Sequence, residues 1–281
     1  MTKTHIGTAG WSYKDWVLNF YPKQQTKDFD WLQFYAAHFN CVEVNATYYT
    51  YLSPKIVEGW LRKIEETEDF LFTVKLHQDF THLRKYDKQK VKSVTENLDK
   101  LFRAERLGGI LMQFPYSFPF NETTAEYIRQ LNEIFSSYNQ FVEVRHSSWS
   151  GKAAYDFFKE LDITFCTIDQ PEIGKAIQFE PVITNDKAYL RFHGRNVDAW
   201  KKSLANFGKE QSYEQQNERY LYRYSAGELA EVMQKVRTIY DKVKEIYIIM
   251  NNHPQGNAVV NAKEFMQMLE VSVQKMRPSL F

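Results

Sequence analysis

Phe141-Val142-Glu143-Val144-Arg145 alternates apolar with charged residues, and Cys41-Val42-Glu43-Val44-Asn45 carries the same pattern earlier in the chain. Successive residues of a strand point to opposite faces, so Glu143 and Arg145 share one direction while Val142 and Val144 share the other. Similar short runs rich in β-branched and aromatic residues give strand candidates at 5–9, 41–45, 71–75, 110–114, 141–145, 164–169, 188–192 and 246–251. Longer amphipathic runs separate them, as expected for parallel strands joined by crossover helices. Eight such strands without a hairpin signal predict an α/β fold closed into one (β/α)8 TIM-type barrel spanning 1–281.

The helix ends are written in the sequence. Ser53-Pro54 sets a capping residue before a proline at the first helical position. Asp87 precedes a helix expected over 91–107, which Gly108-Gly109 should stop. Asn121 is placed to cap the next helix, and Ser225-Ala226-Gly227-Glu228 has capping-box spacing ahead of 229–239. Two connections depart from this rhythm. Residues 170–187 show no helical pattern, so the sixth crossover should be irregular. Residues 196–224 are polar and rich in tyrosine (Tyr213, Tyr220, Tyr222 and Tyr224), which predicts a long loop after strand 7 that serves as a lid or binding loop, or packs on the barrel rim.

Strand parity places Glu43 with Asn45, Thr73 with Lys75, Leu111 with Gln113 and Glu143 with Arg145 on the inward face. The same reasoning pairs Thr167 with Asp169, Arg191 with His193 and Ile249 with Asn251, leaving Val42, Val44, Val74, Val142, Val144 and Leu190 to the helix layer. A barrel interior is ordinarily filled by branched apolar side chains. Here it would hold Glu43, Lys75, Glu143, Arg145, Asp169, Arg191 and His193, and each unpaired charge so buried costs several kcal/mol. Seven polar groups at matching depth read as a ligand site at the C-terminal mouth; a purely structural ion-pair network is the alternative.

Composition narrows the partners. Lys and Arg number 36 against 35 Asp and Glu, a formal charge of +1, so no global basic field draws nucleic acid or an anionic membrane. The first residues lack the apolar core of a signal peptide, and no run reaches a membrane-spanning length. The two cysteines, Cys41 and Cys166, fall in separate strands, so a reduced, cytoplasmic protein is expected. Aromatics make up 16% of the chain, more than packing alone asks for.

Several local motifs then resemble one family. Gly7-Thr8-Ala9-Gly10-Trp11-Ser12-Tyr13-Lys14-Asp15-Trp16 with Phe20-Tyr21-Pro22 is similar to the opening of the YecE-like family, catalogued as DUF72. The resemblance continues through Val42-Glu43-Val44-Asn45-Ala46-Thr47-Tyr48-Tyr49, Phe72-Thr73-Val74-Lys75, Thr81-His82 and Gln113-Phe114-Pro115. It runs on through Glu143-Val144-Arg145-His146, Trp149, Asp169, Pro171 and Arg191-Phe192-His193-Gly194-Arg195. Asn251-Asn252, Gly256-Asn257-Ala258 and Asn261-Ala262 close it. Ala9 and Ala46 stand where serine is common and Tyr48 where phenylalanine is, which weakens any scheme needing a serine nucleophile there. The resemblance implies a TIM barrel without an established activity.

The favoured chemistry is an enzyme for a small anionic ligand bearing phosphate or carboxylate. Lys75, Arg145 and Arg191 would clamp the anion, and Glu43 or Glu143 would act as general base with His193 relaying a proton. Asn45, Gln113 and Asn251 would orient polar groups, while Trp11, Tyr13, Trp16, Tyr48 and Tyr49 offer stacking faces past the strand ends. Glycoside hydrolysis by two carboxylates is an alternative that three interior cations disfavour. A metal held by Glu143, Asp169 and His193 is another, without any close-spaced ligand motif to support it. A nucleotide- or RNA-binding module would use Lys85, Lys88, Lys90 and Lys92, and the near-zero net charge ranks it below an enzyme. Neither Gly-x-x-x-x-Gly-Lys-Ser/Thr nor Gly-x-Gly-x-x-Gly occurs, so no cofactor is expected, and the sequence leaves reaction class and oligomeric state open.

Overall fold

The computed structural model describes residues 2–206 and 212–271. Eight parallel strands close in chain order into one barrel: β1 (Lys3–Ala9), β2 (Cys41–Val44), β3 (Leu71–Lys75), β4 (Leu107–Gln113), β5 (Gln140–Glu143), β6 (Thr164–Asp169), β7 (Lys187–Phe192) and β8 (Glu245–Met250). The β1–β8 pairing, Gly7 beside Ile249, seals the cylinder. Among the described residues no helix is long and apolar enough to cross a membrane.

The helix layer follows the predicted caps. Asp87 accepts from the Lys90 N–H at 2.8 Å at the start of Lys88–Arg103, while Asn121 and Ser225 each form a reciprocal capping box, with Thr124 and Glu228. Ser53 precedes Pro54 as expected but makes no side-chain cap bond. Helix Lys88–Arg103 ends earlier than its periodicity suggests, and Glu105 rather than a glycine takes the left-handed turn, φ 56°. Gly108 and Gly109 lie inside β4 instead of stopping that helix. A Cβ on Gly108 would stand 3.0 Å from the Tyr247 ring, so this glycine makes room for an interior aromatic.

Two packed layers divide the barrel strands. Ala9, Cys41, Leu111, Phe141, Cys166, Tyr189, Tyr247 and Ile249 fill the interior, and a larger apolar cluster joins the outward faces to the helices. Both cysteines are buried and free, and burial pushes both thiols well above their ordinary pKa.

β6 corrects the expected parity. Cys166 belongs to the interior cluster, and the register sets Ile168 beside Arg191 and Asp169 beside the outward-facing Phe192. Thr167 and Asp169 therefore face the helix layer. The run Thr-Phe-Cys-Thr-Ile-Asp has apolar and polar residues on both faces, so hydrophobicity could not choose between them.

Residues 170–186 cross over without a helix, as expected. The segment after β7 is helical where a loop was expected, with Val197–Ala205, Tyr213–Asn217 and a 3-10 turn at Glu218–Tyr220. The Tyr213 side chain and residues 207–211 lie outside the described residues. Asn261 ties the return of this segment down: its Oδ1 accepts from the Tyr224 N–H and its Nδ2 donates to the Tyr224 carbonyl. Asn252 Nδ2 donates to the Tyr222 carbonyl at 2.9 Å.

Closure of the barrel needs β1 and β2 in close approach at Gly7. A Cβ there would lie 1.8 Å from the Cys41 carbonyl oxygen, a distance only backbone movement can relieve. Gly7→Ala should therefore cost at least about 3 kcal/mol, at or beyond the upper end of ordinary overpacking. The urea midpoint measures it, and a loss under about 1 kcal/mol would mean the seam has slack.

Candidate functional site

Strand parity brings one charged layer together above the apolar interior, and Arg191 is its centre. The guanidinium grips Glu43 with both arms of a fork, Nε to Oε2 at 2.8 Å and Nη2 to Oε1 at 2.6 Å. Nη1 donates to Glu143 Oε2. Arg191 is 1% exposed, and both carboxylates are fully buried. Tyr189, one inward position below, donates its hydroxyl to Glu43 Oε2 at 2.9 Å and so accepts from Thr73 Oγ1 at 2.8 Å. Every element of this base is thereby hydrogen-bonded, as buried charges require.

Arg145 takes the other side of Glu143, donating from Nε at 2.9 Å and Nη2 at 2.7 Å to Oε1. Burial opposes ionisation of Glu143, yet Arg191 and Arg145 hold its carboxyl well below the usual range. His193 sits against the same group, 3.4 Å from Oε1 through Nε2. With the amide assigned so that Asn251 Nδ2 donates to His193 Nδ1 at 2.8 Å, the ring proton falls on Nε2. Burial depresses this imidazole to about 3, Glu143 opposing and Arg145 assisting, so it is neutral at physiological pH.

Lys75 differs from the arginines. It ends β3 with its Nζ 4.1 Å above the centre of the Tyr48 ring, and among the described residues it has no carboxylate partner. Burial and then Arg191 lower the ammonium to about 7, despite attraction from Glu43 and Glu143. His82 lies edge-on to Tyr48 at 5.1 Å and is lowered to about 4 by burial and by Lys75.

The helical segment after β7 supplies a roof. Trp200 stands 6.4 Å from His193 and 5.5 Å from the Arg145 guanidinium, ring centre to ring or charge centre. Tyr220 lies 6.1 Å from His193, and Arg219 rests over both rings, 5.3 Å from Trp200 and 4.7 Å from Tyr220. Burial alone would raise the Tyr220 hydroxyl, yet Arg219, Arg145 and Arg191 pull it below the ordinary tyrosine value.

Of the residues expected at the site, Glu43, Lys75, Glu143, Arg145, Arg191, His193 and Asn251 come together in this layer. Gln113, half-buried, ends β4 with its register position beside Glu143. Asn45 follows β2, its Oδ1 buried and without a hydrogen-bond partner. Tyr49 is exposed and packs edge-on against Tyr48. Trp11 meets Trp60 edge-on at 5.4 Å, and Tyr13 donates to the Ala9 carbonyl while stacking on His253, so both form the rim wall. Asp169 is not part of the layer. It faces outward, where Arg195 grips both its oxygens and Tyr224 donates to Oδ1 at 2.6 Å.

That placement undoes the Glu143–Asp169–His193 metal reading, because Asp169 turns its carboxylate to the opposite face of the sheet, onto Arg195 and Tyr224. Among the described residues no three His, Cys, Asp or Glu side chains converge on a metal site. Two of the four lysines of the basic run are paired, Lys90 with Asp79 at 2.6 Å and Lys92 with Glu96 at 3.7 Å. Sequence reasoning missed Tyr189, although its parity with Arg191 was readable. Trp200 and Arg219 were also missed, and they carry no periodic signal because only the fold of the insertion brings them over the mouth.

The profile of the family described as "Protein of unknown function DUF72" matches residues 5–280. The chain is 28% identical to UPF0759 protein YunF of Bacillus subtilis across 98% of its own length and 97% of that protein. It is 33% identical to UPF0759 protein YecE of Escherichia coli over 53% of the chain and 50% of that protein. A DUF72 family protein of Thermotoga maritima, solved as a crystal structure, superposes with a TM-score of 0.82 at 35% identity, covering 95% of this chain and 99% of that one. One from Enterococcus faecalis matches the fold at the same TM-score and 24% identity, covering 99% of each.

Arg191→Ala should leave Glu43 without a cation and Glu143 with Arg145 alone, and cost about 3–5 kcal/mol, read as a urea midpoint. A wild-type midpoint in that variant would mean the carboxylates are not held by Arg191. Burial also keeps His5, His82 and His253 at about 4 beside His193 at about 3. Their folded values lie below the unfolded 6.5, so the unfolded chain takes protons first and stability falls as pH drops from about 6.5 towards 3. His193→Gln should flatten that slope by up to about 1.4 kcal/mol per pH unit, one proton's worth. Denaturation curves between pH 4 and 8 would show it, and an unchanged slope would place the titration elsewhere.

Proposed function

The chain belongs to the DUF72 family, and we propose that it is an enzyme for a small anionic molecule bound at the C-terminal mouth of the barrel. The anion would sit between Arg145 and Lys75 below and Arg219, Trp200 and Tyr220 above. The observation that carries this reading is the surplus of unpaired donors around one point of the fold. Among the described residues neither Lys75 nor Arg219 has a carboxylate partner, and Trp200 Nε1 and Arg219 Nε are buried without any hydrogen-bond partner. Buried donors normally find acceptors, and a carboxylate or phosphate oxygen satisfies several at once.

The charge balance supports the same reading. Glu43 and Glu143 offset Arg191 and Arg145, so the base is neutral and Lys75 with Arg219 leaves the mouth positive. The depressed Tyr220 hydroxyl reports that positive field. C-terminal strand ends are also where TIM-barrel enzymes place their chemistry.

Roles differ from those first expected. Arg191 has its fork filled by carboxylates, so it holds the base and leaves anion binding to Arg145 and Arg219. Glu143, held ionised by two arginines, is a weak base and cannot serve as the protonated acid that glycoside hydrolysis needs. Lys75, poised at about 7, suits proton transfer at neutral pH.

Thermal unfolding with inorganic phosphate, sulfate, sugar phosphates and short dicarboxylates tests the proposal. An anion at 100 times its Kd should add about 2.7 kcal/mol and visibly raise Tm. The shift should be lost in Arg219→Ala and in Arg145→Gln. Absence of a shift for every anion in the wild-type protein would overturn the anion site and favour a structural ion-pair network.

A further inference from the structure

We propose that Lys75 is a nucleophilic amine that captures the carbonyl group of an anionic aldehyde or ketone as an imine, the anionic group resting on Arg145 and Arg219. This rests on the reading of the mouth as an anion site and adds the substrate class, an oxo acid or a phosphorylated carbonyl compound. Three features of the geometry lead to it.

First, Lys75 stands on a strand end, its backbone fixed by pairing with Leu111 of β4 and by the Thr47 hydroxyl, which donates to its carbonyl at 2.7 Å. Groups that react covalently are best held on such rigid elements. Second, its amine is uncommitted. Glu43 is occupied by Arg191 and Tyr189, and Glu143 by Arg191 and Arg145, so among the described residues Lys75 keeps the face of Tyr48 alone. A lysine serving as a structural counter-ion would hold one of those carboxylates, and one with no role at the site would run its ammonium out to water. Third, Trp200 and Tyr220 pack edge-on above the layer while Lys75 stays half-buried, so the amine is covered yet open to a small carbonyl compound.

The groups facing the amine are Glu43, Glu143, Arg145, Arg191, His82 and Tyr48; burial first, and Arg191 next, lower Lys75 to about 7 against the two carboxylates. An ordinary lysine, with a pKa near 10.4, carries roughly a thousandth as much free base at pH 7. The step balances without a co-reactant. The Nζ lone pair adds to the carbonyl carbon and the C=O pair moves to oxygen. Both nitrogen protons pass to that oxygen, which leaves as water while the C=N bond forms.

The full-length protein is incubated at pH 7 with pyruvate, glyoxylate or glyceraldehyde 3-phosphate, reduced with sodium borohydride, and mapped by peptide mass spectrometry. The expected result is one reduced adduct per chain, on Lys75, formed at least tenfold faster than on any other lysine and slowed by inorganic phosphate. Lys75→Arg keeps the positive charge and should abolish the adduct at this position. Lys75→Met, which removes charge and nucleophile, is the second variant should the arginine not pack. Labelling spread over surface lysines, or no adduct in a protein whose Tm still rises with phosphate, overturns the imine and leaves the anion site standing. Neither adduct nor Tm shift removes both.

Discussion

The fork of Arg191 on Glu43, with its third nitrogen on Glu143, is the contact from which the rest of the mouth is organised. It joins β7 to β2 and β5 across the barrel, at full burial, where each charge alone would be expensive. Arginine suits the position because a planar fork can meet one carboxylate with two bonds and still reach a second. A lysine offers one point charge and could not bridge both. Tyr189 and Thr73 complete the hydrogen bonding beneath it, so the base carries no unpaired polar group that the strands supply.

Once the base is neutral, everything placed above it is read against a low background charge. Arg145 shares Glu143 and extends the positive side towards Trp200. Lys75 loses its counter-ion because the carboxylates are already taken, and burial then lowers its pKa. His193 is neutral for the same reason, hemmed by two guanidiniums and tied to Asn251. The protonation states of the mouth thus follow from how Arg191 spends its hydrogen bonds. The roof adds the Arg219 guanidinium and the buried, unpartnered Nε1 of Trp200, so positive charge and spare donors gather on that side of the mouth.

Much of this was legible. The alternation in 141–145 and 41–45 shows which residues share a direction, and eight such strands in a βα rhythm leave few folds besides a barrel. Where one face of a strand is uniformly apolar, as Val142 and Val144 are, parity is unambiguous. Thr164–Asp169 has no such face, and there the inward set went to the wrong side, carrying Asp169 with it. Gly108-Gly109 has the look of a helix stop, but the space that requires a glycine is set by Tyr247, far along the chain. Trp200 and Arg219 show no pattern at all until the insertion folds back over the strands.

The sequence by itself determined the barrel and, Asp169 and Arg219 apart, the charged side chains that its strands bring to the mouth. These follow from local periodicity, which depends on bond geometry alone. The tertiary structure decided which charges pair, which donors are left over and what covers them. Pairing depends on distances across the barrel, between residues far apart in sequence, and the distance between two side chains fixes their protonation as surely as their identity does.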